Sequence, residues 1–126
     1  MIARCVLLRH TLPDGAAHID WLLEREAGEE GLLTFRLAER PDRAGRLVAQ
    51  QLPDHRRAYL EFEGEVSGGR GRVDRLGAGE CVVDQPAPDL LRVRFRFRSA
   101  WFLAQGRRLA PETWDFAVAE WEPPMA

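Results

Sequence analysis

The sequence predicts a mainly β fold: a small antiparallel β-barrel of about eight short strands with little helix. Three observations point there. Short apolar or alternating stretches recur along the chain with Gly- and Pro-bearing turn signals between them. No long amphipathic helical pattern separates them, so strand–helix alternation is excluded. The run LLRVRFRFR at 90–98 alternates with a clean period of two.

In chain order, RCVLLRH at 4–10 is the first strand and TLPDG at 11–15 its turn. HIDWLLERE at 18–26 follows, then GLLTFRL at 31–37 after a glycine-bearing loop. The polar segment 38–55 contains RLVAQQL, which fits a helical turn or a short strand equally well. RAYLEFEGEV at 57–66 alternates as a strand, and SGGRG at 67–71 breaks it as a turn or bulge. RVDRL at 72–76 and ECVVD at 80–84 flank GAG in a hairpin-like arrangement. After LLRVRFRFR, the stretches AWFLAQGRRL and TWDFAVAEW read as a closing pair of strands.

The 126 residues fit one domain, 1–126, with a globular balance of 45% apolar and 30% charged residues. A net charge of −2 provides no global field toward DNA or acidic membranes. No apolar window reaches the roughly 18 residues of a membrane span, and the N-terminal apolar run is too short for a signal peptide. Cytoplasmic residence, without a membrane partner, is therefore expected. Cys5 and Cys81 lie in apolar runs without metal-type spacing and read as buried thiols. All 18 basic residues are arginine. Codon usage explains that bias, yet each arginine also offers a bidentate fork for phosphate.

The chemistry-bearing residues concentrate around three histidines. In the first strand Val6, Leu8 and His10 share a face. In the second, His18 and Asp20 share a face with Leu22 and Glu24, while Ile19, Trp21 and Leu23 form the apolar one. The spacing from His10 to His18 suits a hairpin that sets them side by side. Neutral imidazole plus carboxylate suits a divalent transition metal such as Mn, Fe or Zn. His55 comes later, with Tyr59 read on the same face and Arg57 between them. A single histidine on a strand is most often structural; three, with Asp20 in His-x-Asp spacing, point to a site.

HIDWLLE, followed by DHRRAYLEFEGEVSGGRGRV and then GAG, resembles the 3′-phosphoesterase domain of bacterial DNA ligase D. That family reads His-Tyr-Asp-x-Arg-Leu-Glu, then Glu-Asp-His-Pro with a tyrosine four residues past the histidine, then Phe-Glu-Gly and a glycine-rich turn. The matches are His18, Asp20, Leu23 and Glu24, then Asp54, His55, Tyr59, Phe62, Glu63, Gly64 and the glycines to Gly71. His10 matches the family's upstream histidine from two residues further away, and the likeness covers most of the chain.

The resemblance implies a compact barrel holding Mn2+ through His10, His18 and Asp20, with Zn2+ or Fe2+ as alternatives. It implies that His55 and Tyr59 face the phosphate as catalytic groups. The substrates would be DNA or RNA 3′ ends, trimmed of a terminal phosphate or ribonucleotide during repair. The chain carries no ligase or polymerase module, so partnership with either would be in trans.

Two departures bear on activity. Leu22 stands where the family has a phosphate-gripping arginine, and Pro53 stands where it has an acid. Loss of one such charge-assisted contact costs roughly 2–4 kcal/mol of barrier stabilisation, or ~30- to 1,000-fold in rate. Arg46, matching a basic residue of the family, and Arg57 are the candidate replacements at the phosphate. The alternative is a metal- and nucleic-acid-binding module without turnover. A third reading, an iron oxygenase built on His18, Asp20 and His55, lacks any mark of a cosubstrate pocket.

Independently of the family, Arg92, Arg94, Arg96 and Arg98 share one face of their strand. They could track a nucleic-acid backbone or form a solvated face balanced by glutamates on a neighbouring strand. Trp101 reads as packing first and as a base-stacking group second.

Overall fold

The computed structural model describes residues 2–43 and 45–124. Among them are nine strands: β1 (Ala3–Thr11), β2 (Ala17–Glu24), β3 (Gly31–Leu37), β4 (Gly45–Arg56), β5 (Gly64–Glu65), β6 (Arg72–Ala87), β7 (Leu90–Phe97), β8 (Ala100–Ala110) and β9 (Thr113–Glu120). One 3-10 turn, Arg57–Leu60, follows β4. Every pairing is antiparallel, in the order β1-β2-β3-β4-β9-β8-β7-β6-β5, and β1 also pairs β6. That last pairing closes the sheet into a barrel-like ring with β5 appended, which bears out the expected fold class. No helix of the described residues is long and apolar enough to cross a membrane.

One open reading is decided as strand and two others are corrected. RLVAQQL lies in β4, whose twelve residues run to Arg56. Between Thr34–Leu52 and Leu32–His55 the β3–β4 register shifts, and Pro53 and Asp54 occupy this irregularity. A bulge tolerates a proline that a regular ladder excludes. Residues 57–66 are not one strand: Arg57–Leu60 turns so that Leu60 is buried, and only Gly64–Glu65 is extended. RVDRL and ECVVD form one continuous strand, β6. Neither Gly77 nor Gly79 takes the positive φ of a tight hairpin turn. Gly79 is instead a point of close approach, because a Cβ there would lie 1.7 Å from the Arg96 carbonyl oxygen.

Period-two alternation produces two apolar layers. The inward layer includes Leu7, Trp21, Phe35, Phe95, Trp114 and Phe116, with Trp21 at its centre, 5.0 Å from Phe95 and 5.9 Å from Phe116 between ring centroids. Cys5 and Cys81 belong to this layer as free thiols. The outward faces of β1, β2, β3 and β6 carry Val6, Leu8, Leu22, Leu32 and Val73, which form a second cluster with Leu60 and Val66 from the chain after β4 and with Tyr59 packed on it. The chain from Arg57 to Val66 supplies the cover that these outward side chains need. Burial of several such residues stabilises the fold by about 1.5–3 kcal/mol each.

Candidate metal centre

The β1–β2 turn sets the register of the site. Gly15 adopts φ +90, the Leu12 amide donates to the Ala16 carbonyl at 2.7 Å, and the Ala16 amide donates to Asp14 Oδ1 at 2.9 Å. His10 then lies directly opposite His18, and Leu8 opposite Asp20. The two imidazole rings meet edge to face, with centroids 5.0 Å apart and planes at 79°. One donor atom from each of His10, His18 and Asp20 lies within 4.8 Å of the others. The three side chains emerge at the end of the outward apolar row formed by Val6, Leu8 and Leu22.

The electrostatics of the trio centre on His18 and Asp20. Asp20 is only 4% exposed, and its Oδ1 lies 3.4 Å from His18 Nε2. Both atoms are buried, and neither has a hydrogen-bond partner. Folded proteins rarely leave adjacent buried donors and acceptors unsatisfied. Burial, reinforced by nearby Arg36 and His10, pushes His18 below the ordinary imidazole range, although Asp20 pulls the other way. A neutral imidazole keeps a lone pair for a cation.

His10 is oriented from behind. Its Nε2 donates to the Arg70 carbonyl at 2.7 Å, so the neutral ring carries its lone pair on Nδ1. Two imidazoles and one carboxylate, partly buried and lacking mutual hydrogen bonds, fit a divalent transition metal such as Mn, Zn or Fe.

No protein-family model matches the chain, and no curated protein matches it.

Other expected site residues lie elsewhere. His55 is opposite Leu32, which is itself opposite Glu24, four residues along β2 from Asp20. That offset is roughly 16 Å between backbones, from standard strand spacings. The row of Leu22 and Thr34 lies between. His55 accompanies Tyr59, with ring centroids 5.7 Å apart, and its Nδ1 contacts the Pro53 carbonyl at 3.1 Å. Tyr59 follows in the 3-10 turn, not on a strand shared with His55.

Arg57 donates to buried Glu24, and Arg46 pairs with Asp115 on the far side of β4. Neither guanidinium is directed at the trio. Arg94 pairs with Asp84 and Arg96 with Glu80 at 2.7 Å, while their guanidiniums lie over Trp121 and Trp101. The middle of the arginine row is thus balanced by acids on β6. Arg98 is in the β7–β8 turn with φ +61.

One participant, Arg36, is missed by the sequence reading, and Glu24, which the sequence places on the His18 face, takes a structural role. Arg36, opposite Asp20 on β3, brings its Nε to 3.8 Å from Asp20 Oδ1. The signal was available: Leu32, Thr34 and Arg36 share a strand face, and a hairpin centred near Gly28 aligns Arg36 with Asp20. Glu24 is 1% exposed and accepts from the amides of Arg4 at 2.7 Å and Gly28 at 2.9 Å. With Arg57 it locks the 3-10 turn onto β2.

Proposed function

We propose that this chain binds a divalent transition metal, Mn2+ by preference, between His10, His18 and Asp20 and acts on phosphate esters at nucleic-acid 3′ ends. One observation carries the metal half: His18 Nε2 and Asp20 Oδ1 are buried, adjacent and without hydrogen bonds, beside a second imidazole. The resemblance of residues 18–24 and 54–71 to the ligase-linked 3′-phosphoesterases supports the substrate half. A repair ligase or polymerase would supply or use such ends.

Held by His10, His18 and Asp20, a divalent cation would supply positive charge to neutralise phosphate oxygens and to acidify water. The chain's own groups divide the remaining work. Asp20 contributes the anionic donor, and Arg70 holds His10 through its carbonyl. Arg36, the guanidinium paired across the strands with Asp20, is available to grip a phosphate where the resemblance leaves Leu22. His55 and Tyr59 would reach that phosphate only if the covering segment shifts, because the Leu22–Thr34 row intervenes.

Titration with Mn2+, followed by assay on 3′-phosphate and 3′-ribonucleotide primers, tests both halves. Metal binding with manganese-dependent trimming is the expected result. Absence of metal binding rejects the proposal outright.

A second reading, a binding module without turnover, is favoured by one specific observation. Leu22 is fully buried in the outward apolar cluster, so no open clamp remains at that position. Retention of 3′ ends by the metal-loaded protein, with no product formed, would select this reading over catalysis.

A further inference from the structure

We propose that a single-stranded nucleic acid leaves the metal centre across the outward face of the ring, through a groove built by Arg46, Arg92 and Arg107. The inference rests on the nucleic-acid reading above and specifies the surface that holds the strand. The strand register lays out the path. Arg36 is opposite Gln50; two residues along β4, Val48 is opposite Asp115; Asp115 is opposite Arg107; and Arg107 is opposite Leu90. Arg46 and Arg92 flank this line through Ala117 and Gln105, which are themselves partners.

The intervening residues Ala49, Trp114, Phe116, Ala104 and Leu91 are buried in the inward layer, so the path residues point outward. His18, Arg36, Val48 and Gln50 line one depression, and Arg46, Arg92, Arg107 and Asp115 line another. Val48 and Asp115 are opposed across β4 and β9, so the two depressions adjoin. Four strand spacings separate β3 from β7, ~19 Å over the sheet surface, which accommodates several phosphates.

Charge distinguishes this groove from the arginine row of β7. The Arg46 side chain is 73% exposed and shares one carboxylate, Asp115. Among the described residues, Arg92 and Arg107 form no ion pair. Glu112, 3.5 Å from Gln50, marks the margin of the path. Arg46, Arg92 and Arg107 share the groove lining with one carboxylate, Asp115, and Asp84, opposite Arg92 on β6, is engaged by Arg94, just as Glu80 is by Arg96. Leu90, 42% exposed, adds an apolar wall against which a base can lie.

The test is fluorescence anisotropy of a labelled, 3′-phosphorylated oligothymidine with the Mn2+-loaded full chain over a range of salt. The double variant Arg92→Gln/Arg107→Gln breaks no ion pair among the described residues and should bind more weakly. Its slope of log affinity against log salt should fall by about 1.4, at ~0.7 per lost phosphate contact. Arg94→Gln/Arg96→Gln should leave the slope unchanged. Unaltered Mn2+ titration of the first variant would show that its fold and metal centre persist. If the first variant keeps the wild-type slope, or only the second lowers it, the groove is wrong while the nucleic-acid reading survives. If the wild-type chain binds no oligonucleotide, the groove and that reading fall together.

Discussion

His18 Nε2 and Asp20 Oδ1 lie 3.4 Å apart, both buried and neither hydrogen-bonded. They come from one strand, two residues apart, and therefore share a face whatever the rest of the chain does. The opposing His10 is delivered by the hairpin, and its ring is aimed by the Arg70 carbonyl. Local periodicity, one turn and one distant loop thus combine in a single cation-sized cluster.

The first prediction concerns that cluster. Mn2+ should raise Tm, because a ligand present at 100 times its Kd stabilises the folded state by about 2.7 kcal/mol. His18→Ala and Asp20→Asn should each abolish the rise while leaving a cooperative thermal transition. Isothermal titration of the same variants provides the affinity. An undiminished Mn2+-dependent rise in both variants would exclude these side chains as ligands.

Much of this arrangement is legible in sequence because its causes are local. His18 and Asp20 need only strand parity, and His10 needs only the spacing across its turn. The role of Leu22 is not legible, because its cover arrives from residues more than thirty positions away. With 57–66 as a strand, Leu22 intrudes into a polar face; with Arg57–Leu60 turned over the sheet, it is a core residue. The same distance hides the engagement of Arg57 by Glu24 and of Arg46 by Asp115. GAG has hairpin composition and so reads as a break, whereas β6 runs through it and uses Gly79 for close contact with β7.

Leu22 supplies the second prediction. Replacing it with arginine buries a guanidinium among Val6, Leu8, Leu32 and Leu60. An unpaired charge in such surroundings costs several kcal/mol. Leu22→Arg should therefore lower the urea midpoint sharply, and Leu22→Ala should cost about 2–5 kcal/mol through the cavity left behind. A Leu22→Arg variant as stable as the wild type would mean that the 57–66 cover opens readily in solution.

Glu24 gives the third, a pH dependence. Burial alone would push its carboxyl upward, but the Gly28 amide, the Arg57 guanidinium and the Arg4 amide together hold it below the ordinary glutamate range. A carboxyl depressed in the folded state contributes stability at pH values above its unfolded pKa, about 4.3. That contribution is lost as pH falls through the lower folded value. Wild-type stability should consequently decline below about pH 4.3 more steeply than that of Glu24→Gln, as urea titrations at successive pH values would reveal. Arg57→Ala, which leaves a buried carboxylate without its cation, should cost about 3–5 kcal/mol at neutral pH. Parallel acid limbs for wild type and Glu24→Gln would remove Glu24 from this account.

The glycine loop carries the last prediction. Gly71 has φ +94, and a Cβ there would stand 2.0 Å from the Thr11 carbonyl oxygen. Alanine at 71 therefore forces the loop away from β1, at an expected cost of 1–3 kcal/mol for the backbone conformation alone. Arg70 is the preceding residue, so the same displacement withdraws the carbonyl that fixes His10. Loss of such an orienting partner typically weakens metal affinity by about 10- to 100-fold. Gly69→Ala is the control: Gly69 also has positive φ, but its added methyl would meet nothing within 4 Å, so it reports backbone strain without collision. Gly71→Ala should thus lose Mn2+ affinity in calorimetric titration well beyond Gly69→Ala. Equal affinities in the two variants would detach the glycine loop from the His10–His18–Asp20 cluster.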